Sequence, residues 1–360
     1  MREFKTISQE KIRPKNSGPA TFWPESSRSR LAYFQWFLTL ALGFLLLGAE
    51  ETRAQAPPKL DPPVKARLGL LPIADTILLR LAQREGYFTA RGLEVELIPF
   101  QSSMEKDAAV LAGQLSGHFC EISSAMTQRA QGHPYRVIAT TSHTDPQRRF
   151  FGLVTKPGSP AQTLTDLQGQ TLGVARQTIV DFLADIFLDR AGLPRDYLRR
   201  RDIRKIPLRL QTLKAGRLET SIFPEPLLSL AELAGGRVLV DDRDLNMPLA
   251  VVALRDDLAT EPVVRAFRGA LSQAVGYANA KPAQVRALSL ELGLISPQLA
   301  ESWLPPTYDP QLIPNRLPDK ALFEAYVDWL VRNGVLRRPG SPGTSREAPT
   351  YSATIFQEPS

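Results

Sequence analysis

Few side chains in this sequence could do covalent or metal chemistry. There are three histidines, His118, His133 and His143, and one cysteine, Cys120. No two histidines stand at the spacing of a known zinc motif, so structural or surface imidazoles are expected and no metal is implied. Gly113-Gln114-Leu115-Ser116-Gly117 superficially looks like a nucleophile elbow, but its serine comes one position too late for Gly-x-Ser-x-Gly. No Gly-x-x-x-x-Gly-Lys-Ser/Thr loop is present to cradle the phosphates of ATP. Cys120 excludes an intramolecular disulfide and lies in an apolar run, where a buried, inert thiol is expected. These residues imply binding without catalysis and without a cofactor.

The polar residues at the ends of apolar runs say more. Ligands of open α/β sheets sit beyond the carboxyl ends of the strands. Val64–Leu71 and Leu93–Phe100 read as strands on either side of a helix from Asp75 to Glu85. Leu71, Pro72 and Asp75 then follow the first strand, and Gln101, Ser102 and Ser103 the second. Ser123 and Ser124 follow the strand Gly117–Ile122 and precede a helix; Gln177 and Thr178 follow Thr171–Ala175 and precede another. Hydroxyls and free N–H groups at two helix starts would favour an anion without any arginine. Plain helix capping by the same residues is the alternative. Gln101 to Ser103 read as site residues or as a solvated loop. Glu225, in Phe223-Pro224-Glu225-Pro226, either contacts the ligand or fixes its own loop. Tyr87 and Phe88 read as core aromatics behind the first helix.

The elements that position these residues follow from spacing. Asp75 is the expected N-cap of the first helix, Leu78, Leu81 and Ala82 form its apolar face, and Gly86 ends it. The resulting βαβ unit should be right-handed. Helices are expected over 105–111 and 126–131, and strands over 117–122, 135–141 and 150–155, the last crossing into a second lobe. That lobe continues with a strand at 171–175, a helix at 179–191, a short strand at 203–207, a helix to Ala215 and a strand at 219–223. Pro248–Leu254 reads as the return crossing, and helices over 262–279, 283–292 and 319–333 should pack back on the first lobe. Arg199-Arg200-Arg201 reads as solvated charge at a helix end, and the Pro-, Ser- and Gly-rich tail from Arg337 as disordered. Ala112-Gly113-Gln114-Leu115 and Ala215-Gly216-Arg217-Leu218 form a faint echo, as two lobes of similar build would. The division expected is residues 57–152 and 249–335 for the first lobe, 153–248 for the second and 336–360 for the tail. The fold class is α/β, two-lobed, with a hinge of two crossing strands.

Ala82-Gln83-Arg84-Glu85-Gly86-Tyr87-Phe88, with Gly92-Leu93-Glu94-Val95 after it, resembles the substrate-binding proteins of ABC importers. More narrowly it is similar to the nitrate/sulfonate/taurine group, whose domain is shared with thiamine-pyrimidine synthases. Asp166-Leu167-Gln168-Gly169-Gln170-Thr171-Leu172-Gly173-Val174 resembles that group's Asp-Leu-x-Gly-Lys opening of the second lobe, with Gln170 in place of lysine. Phe223-Pro224-Glu225-Pro226 resembles its Glu-Pro loop. After Ala112-Gly113-Gln114-Leu115 the group usually has aspartate, and here stands Ser116, which points to a divergent subgroup. The resemblance implies a periplasmic-binding-protein type II fold and a monomer that hands a small-molecule ligand to an ABC permease of the inner membrane. Sulfonate, nitrate, taurine or a pyrimidine-like compound are the ligand classes it suggests. The synthases use a cysteine-rich motif, and Cys120 alone gives that chemistry little to work with.

The ends and the charge bound the remainder. Leu31–Gly48 is uncharged and mostly apolar, Arg28 and Arg30 precede it, and Ala54-Gln55-Ala56 is a small-x-small site. Residues 1–56 therefore read as a cleaved signal peptide with an extended polar N-terminus, and the protein as periplasmic. An uncleaved membrane anchor, with the protein acting as a ligand-responsive sensor, is the alternative. Removing residues 1–56 takes eight Lys/Arg and five Asp/Glu from the totals of 44 and 37 and leaves +4. That charge is dispersed, without the basic patch and interleaved aromatics that nucleic-acid binding requires.

Overall fold

The computed structural model describes residues 59–358, so the expected signal peptide at residues 1–56 lies outside the described residues. Two five-stranded sheets, ordered β2-β1-β3-β10-β4 and β7-β6-β8-β5-β9, form the framework. The first holds β1 (Val64–Leu70), β2 (Leu93–Pro99), β3 (Gly117–Cys120), β4 (Tyr135–His143) and β10 (Pro248–Arg255). The second holds β5 (Phe151–Thr155), β6 (Thr171–Val174), β7 (Arg199–Asp202), β8 (Thr220–Pro224) and β9 (Val238–Asp241). In each sheet the first three strands are parallel, and the fourth runs against both of its neighbours. That fourth strand is the one contributed by the chain as it crosses over: β10 in the first sheet, β5 in the second. This is the two-lobed α/β architecture that the sequence suggests.

The helices are α1 (Ile77–Arg84), α2 (Ser103–Leu111), α3 (Ile122–Ala130), α4 (Ile179–Arg190), α5 (Ile206–Lys214) and α6 (Leu227–Leu233). After them come α7 (Glu261–Ala280), α8 (Pro282–Glu291), α9 (Lys320–Arg332) and the short α10 (Tyr351–Thr354). On α1, Leu78, Leu81 and Ala82 are fully buried in one core with Phe267, Ala270 and Leu271 of α7. Phe88 is buried there too, its ring 5.1 Å from that of Phe267. The turn into β2 requires Gly92: φ is +74°, and an added Cβ would stand 2.3 Å from the Leu60 carbonyl oxygen.

Several elements differ from expectation. Asp75 is not the N-cap of α1; it sits inside a 3₁₀ turn, Ala74–Thr76, and Thr76 occupies the cap position. Helix α3 starts at Ile122, which puts Ser123 and Ser124 in its first turn and not before it. The arginine triplet forms edge strand β7, and residues 203–207 do not form a strand. Arg200 is drawn inward by the buried carboxylates of Asp181 and Asp185 on α4. Helix α9 packs on the second lobe as well as the first: Tyr326 stacks on Phe182 at 4.0 Å, and the Trp329 indole donates to Asp185 at 2.8 Å.

The tail is also a correction. Leu336–Arg337 pairs with Arg346–Glu347, and Ile355 bridges to Val137 of β4. The Phe356 N–H donates to the Val137 carbonyl at 2.9 Å. Ala348, Ile355 and Phe356 are buried, so a few apolar anchors order a segment whose composition favours disorder. Ile355→Ala should therefore cost about 3 kcal/mol of unfolding free energy. Urea denaturation of the two proteins measures this, and an unchanged midpoint would mean that the tail adds nothing to the fold.

Candidate functional site

Two chain crossings join the lobes, from β4 to β5 and from β9 to β10, and they are tied to each other. The Thr144 N–H donates to the Met247 carbonyl, and the Met247 N–H donates to Thr144 Oγ1. Asp242 Oδ1 accepts the N–H groups of Phe150 and Phe151 at 2.9 and 3.0 Å. The carboxyl ends of the strands of both sheets then meet across a cleft. The turn after β1 divides this cleft, with Ile73 lining one cavity and Ala74 another.

The smaller cavity, about 50 Å³, brings together Leu71, Ser103, Glu121, Thr178, Arg209 and Pro224. Thr178 occupies the N-cap position of α4 without a side-chain capping bond, its hydroxyl donating instead to the Ala175 carbonyl at 2.8 Å. Arg209 is buried, its guanidinium lowered to about 10 by loss of water. Glu121 is the cap residue of α3, and burial pushes its carboxyl up; the Lys106 ammonium and the Ile179 N–H across the cleft pull the other way. The start of α4 thus already has a carboxyl beside it, at a place where a free anion would otherwise be attracted.

The larger cavity, about 370 Å³, holds Asp75 and Glu225 together with Arg148, Arg149, Arg243 and Trp303. Glu225 accepts from Arg149 Nε at 2.8 Å and from the Ser229 hydroxyl at 2.7 Å, so it fixes the start of α6. Asp75 is buried, and desolvation together with the nearby Asp242 charge raises its carboxyl to about 7. Burial raises Asp242 itself to about 6.

The other candidates stand apart from both cavities. Ser102 caps α2, accepting from the Glu105 N–H at 3.2 Å. Ser124 donates to Asp107 at 2.8 Å, within a buried network in which Lys106 contacts Asp107 and His118. Burial and that ammonium hold the His118 imidazole well below its ordinary range. Ser123 is buried, and its hydroxyl has no partner among the described residues. Gln177 is exposed, with φ at 65°, and its N–H donates to Asp181; Gln101 is exposed, and Pro72 lines neither cavity.

The profile of the family described as NMT1/THI5 like matches residues 74–285. The chain belongs to that family. No protein of curated function matches the sequence. Among solved structures, the fold of this NMT1/THI5-like chain is similar to the alkanesulfonate-binding protein SsuA of Xanthomonas axonopodis pv. citri bound to MOPS. That likeness has a TM-score of 0.64 at 16% identity, over 78% of this chain and 96% of that one. The aliphatic sulphonate-binding protein SsuA of Escherichia coli gives 0.63 at 18% identity, over 76% and 93%. The nitrate-binding protein NrtA of Synechocystis PCC 6803 gives 0.58 at 14%, over 78% and 83%.

Sequence reasoning on this NMT1/THI5-like chain missed Arg148, Arg149, Asp242 and Trp303. The first two are an adjacent pair just before β5, which was a signal. Trp303 lies in an aperiodic, proline-rich stretch that offered none. A raised folded-state carboxyl means that folding takes up a proton between the unfolded value and about 7, so the Asp75 contribution to stability falls as pH rises through that window. Asp75→Asn should accordingly be more stable relative to the parent at pH 8 than at pH 5, by about 3 kcal/mol for the roughly two pH units between pH 5 and the raised value. Urea unfolding at the two pH values tests this; a pH-independent difference would show that Asp75 is ionised throughout.

Proposed function

We propose that this chain is the exported solute-binding receptor of an ABC importer, capturing a small molecule between its lobes and delivering it to a permease of the inner membrane. It works in the periplasm as a monomer and carries out no reaction on its ligand. The observation that carries this reading is the cleft itself. Cavities are lined from both lobes at the carboxyl ends of their strands, across a joint of two crossing segments. A ligand that touches both lobes stabilises the closed arrangement over the open one, which is how capture becomes a signal to a partner. Similarity to alkanesulfonate- and nitrate-binding proteins supports the same role and suggests sulfonates and nitrate first, with taurine and aminopyrimidines added from the sequence resemblance.

Thermal unfolding of the purified protein with each of these compounds is the direct test. At least one should raise the midpoint, and a ligand at a hundred times its Kd adds about 2.7 kcal/mol. Thr178→Trp, which fills the smaller cavity, should weaken that effect at least tenfold. A midpoint indifferent to every compound would count against a transport receptor. The mass of the protein recovered from the periplasm should correspond to a start at Pro57, whereas an intact N-terminus would favour the membrane-anchored sensor.

A further inference from the structure

Asp75, in the lining of the larger cavity, and Asp242 behind it are buried carboxylates with no ion-pair partner among the described residues. Asp75 is 3% exposed and Asp242 is 0% exposed. Three arginines line the same cavity; two are paired with other carboxylates, and the third bonds to backbone carbonyls. Arg149 pairs with Glu225 and Glu232, and Arg243 pairs with Asp241. Arg148 donates to the backbone carbonyls of Leu304 and Pro305. Two of Asp242's hydrogen bonds, both from backbone N–H groups, reach Oδ1, while its buried Oδ2 has no partner among the described residues. The Ser142 and Tyr308 hydroxyls near Asp75 are both buried, and neither has a hydrogen-bond partner among the described residues.

A buried carboxylate short of donors is satisfied either by a proton or by a cation that arrives from outside. The same cavity offers aromatic surface from Phe150 and Trp303, which suits a desolvated nitrogen cation. Across the Ile73–Ala74 turn, at the helix start that would draw an anion, stands the carboxyl of Glu121. A bare anion in the larger cavity would thus find one arginine, Arg148, without a carboxylate partner, and would stand against the unpaired carboxyl of Asp75.

We propose that the molecule captured here places a cationic nitrogen, a protonated amine or an amidinium, in the cavity at Asp75, which serves as its counter-ion. The assignment rests on the receptor reading and names the ligand chemistry of that same cleft. Asp242 stands behind Asp75 and keeps the local potential negative.

The test is calorimetric titration and thermal unfolding of the purified full chain at pH 8. Benzamidine and butylamine are the cationic probes, with ethanesulfonate and nitrate as the anionic ones. An amidine or amine should bind and raise the midpoint; Asp75→Asn should weaken that binding at least tenfold, and Asp75→Glu should keep most of it. Circular dichroism of both variants establishes that they are folded. Binding of ethanesulfonate or nitrate that Asp75→Asn leaves unaltered would overturn the cationic assignment while the receptor reading stands. Silence from all four probes would also overturn it, and the receptor reading is then decided separately by its own panel.

Discussion

Asp242 fixes how the two halves of this molecule meet. One of its oxygens gathers the N–H groups at the start of β5, so the returning crossing holds the outgoing one by a charged acceptor and two main-chain donors. Hydrogen bonds to a charged group are worth about 1.5–3 kcal/mol each, more than neutral ones. The same carboxylate sits close enough to Asp75 to raise it. The joint that aligns the lobes therefore also sets the electrostatics of the cleft between them, and neither function could be altered without the other.

Each half repeats one local solution. In the first lobe, a Cβ added at Gly69 of β1 would meet Leu115 at 2.7 Å and the stem of Lys106 at 3.0 Å. In the second, one added at Gly173 of β6 would meet Leu218 at 2.4 Å and the stem of Arg209 at 3.4 Å. Lys106 and Arg209 stand at the same distance before the echoed Ala-Gly-x-Leu, and both are buried. A glycine in the strand lets the helix approach closely, the leucine fills the joint, and the long cation lays its apolar stem alongside. The head groups are then satisfied differently: Lys106 by Asp107 and His118, Arg209 by the Ile203 carbonyl.

That repetition explains what could be read in the sequence. The Ala-Gly-x-Leu echo was legible because glycine at the helix end is demanded by a positive φ, +71° at Gly113 and +70° at Gly216. Strands β1, β3, β6 and β10 were legible because they are central and apolar. Strand β7 was not, since an edge strand of three arginines and an aspartate owes its place to Asp181 and Asp185, which no local pattern reveals. The site was legible in part. Leu71, Ser103 and Thr178 share one cavity and Asp75 and Glu225 the other, but several of the serines serve as caps or network members. Strand-end position identifies which residues are near the cleft; which way each hydroxyl turns depends on partners far away in the chain.

The contacts between the lobes are unequal, and this limits how they can separate. At α2 and α5 the lobes meet through the exposed pair Glu105–Lys205, 3.7 Å apart, an interaction worth less than about 1 kcal/mol. On the side of α9, Phe182, Tyr326 and Trp329 are buried against one another, and the Trp329 indole holds the carboxylate of Asp185. Exposing those rings would cost about 2 kcal/mol apiece, and a stranded carboxylate would add to it. Any separation of the lobes would therefore be cheapest where α2 and α5 part while α9 stays with α4. The aromatic edge would then keep the two halves in register.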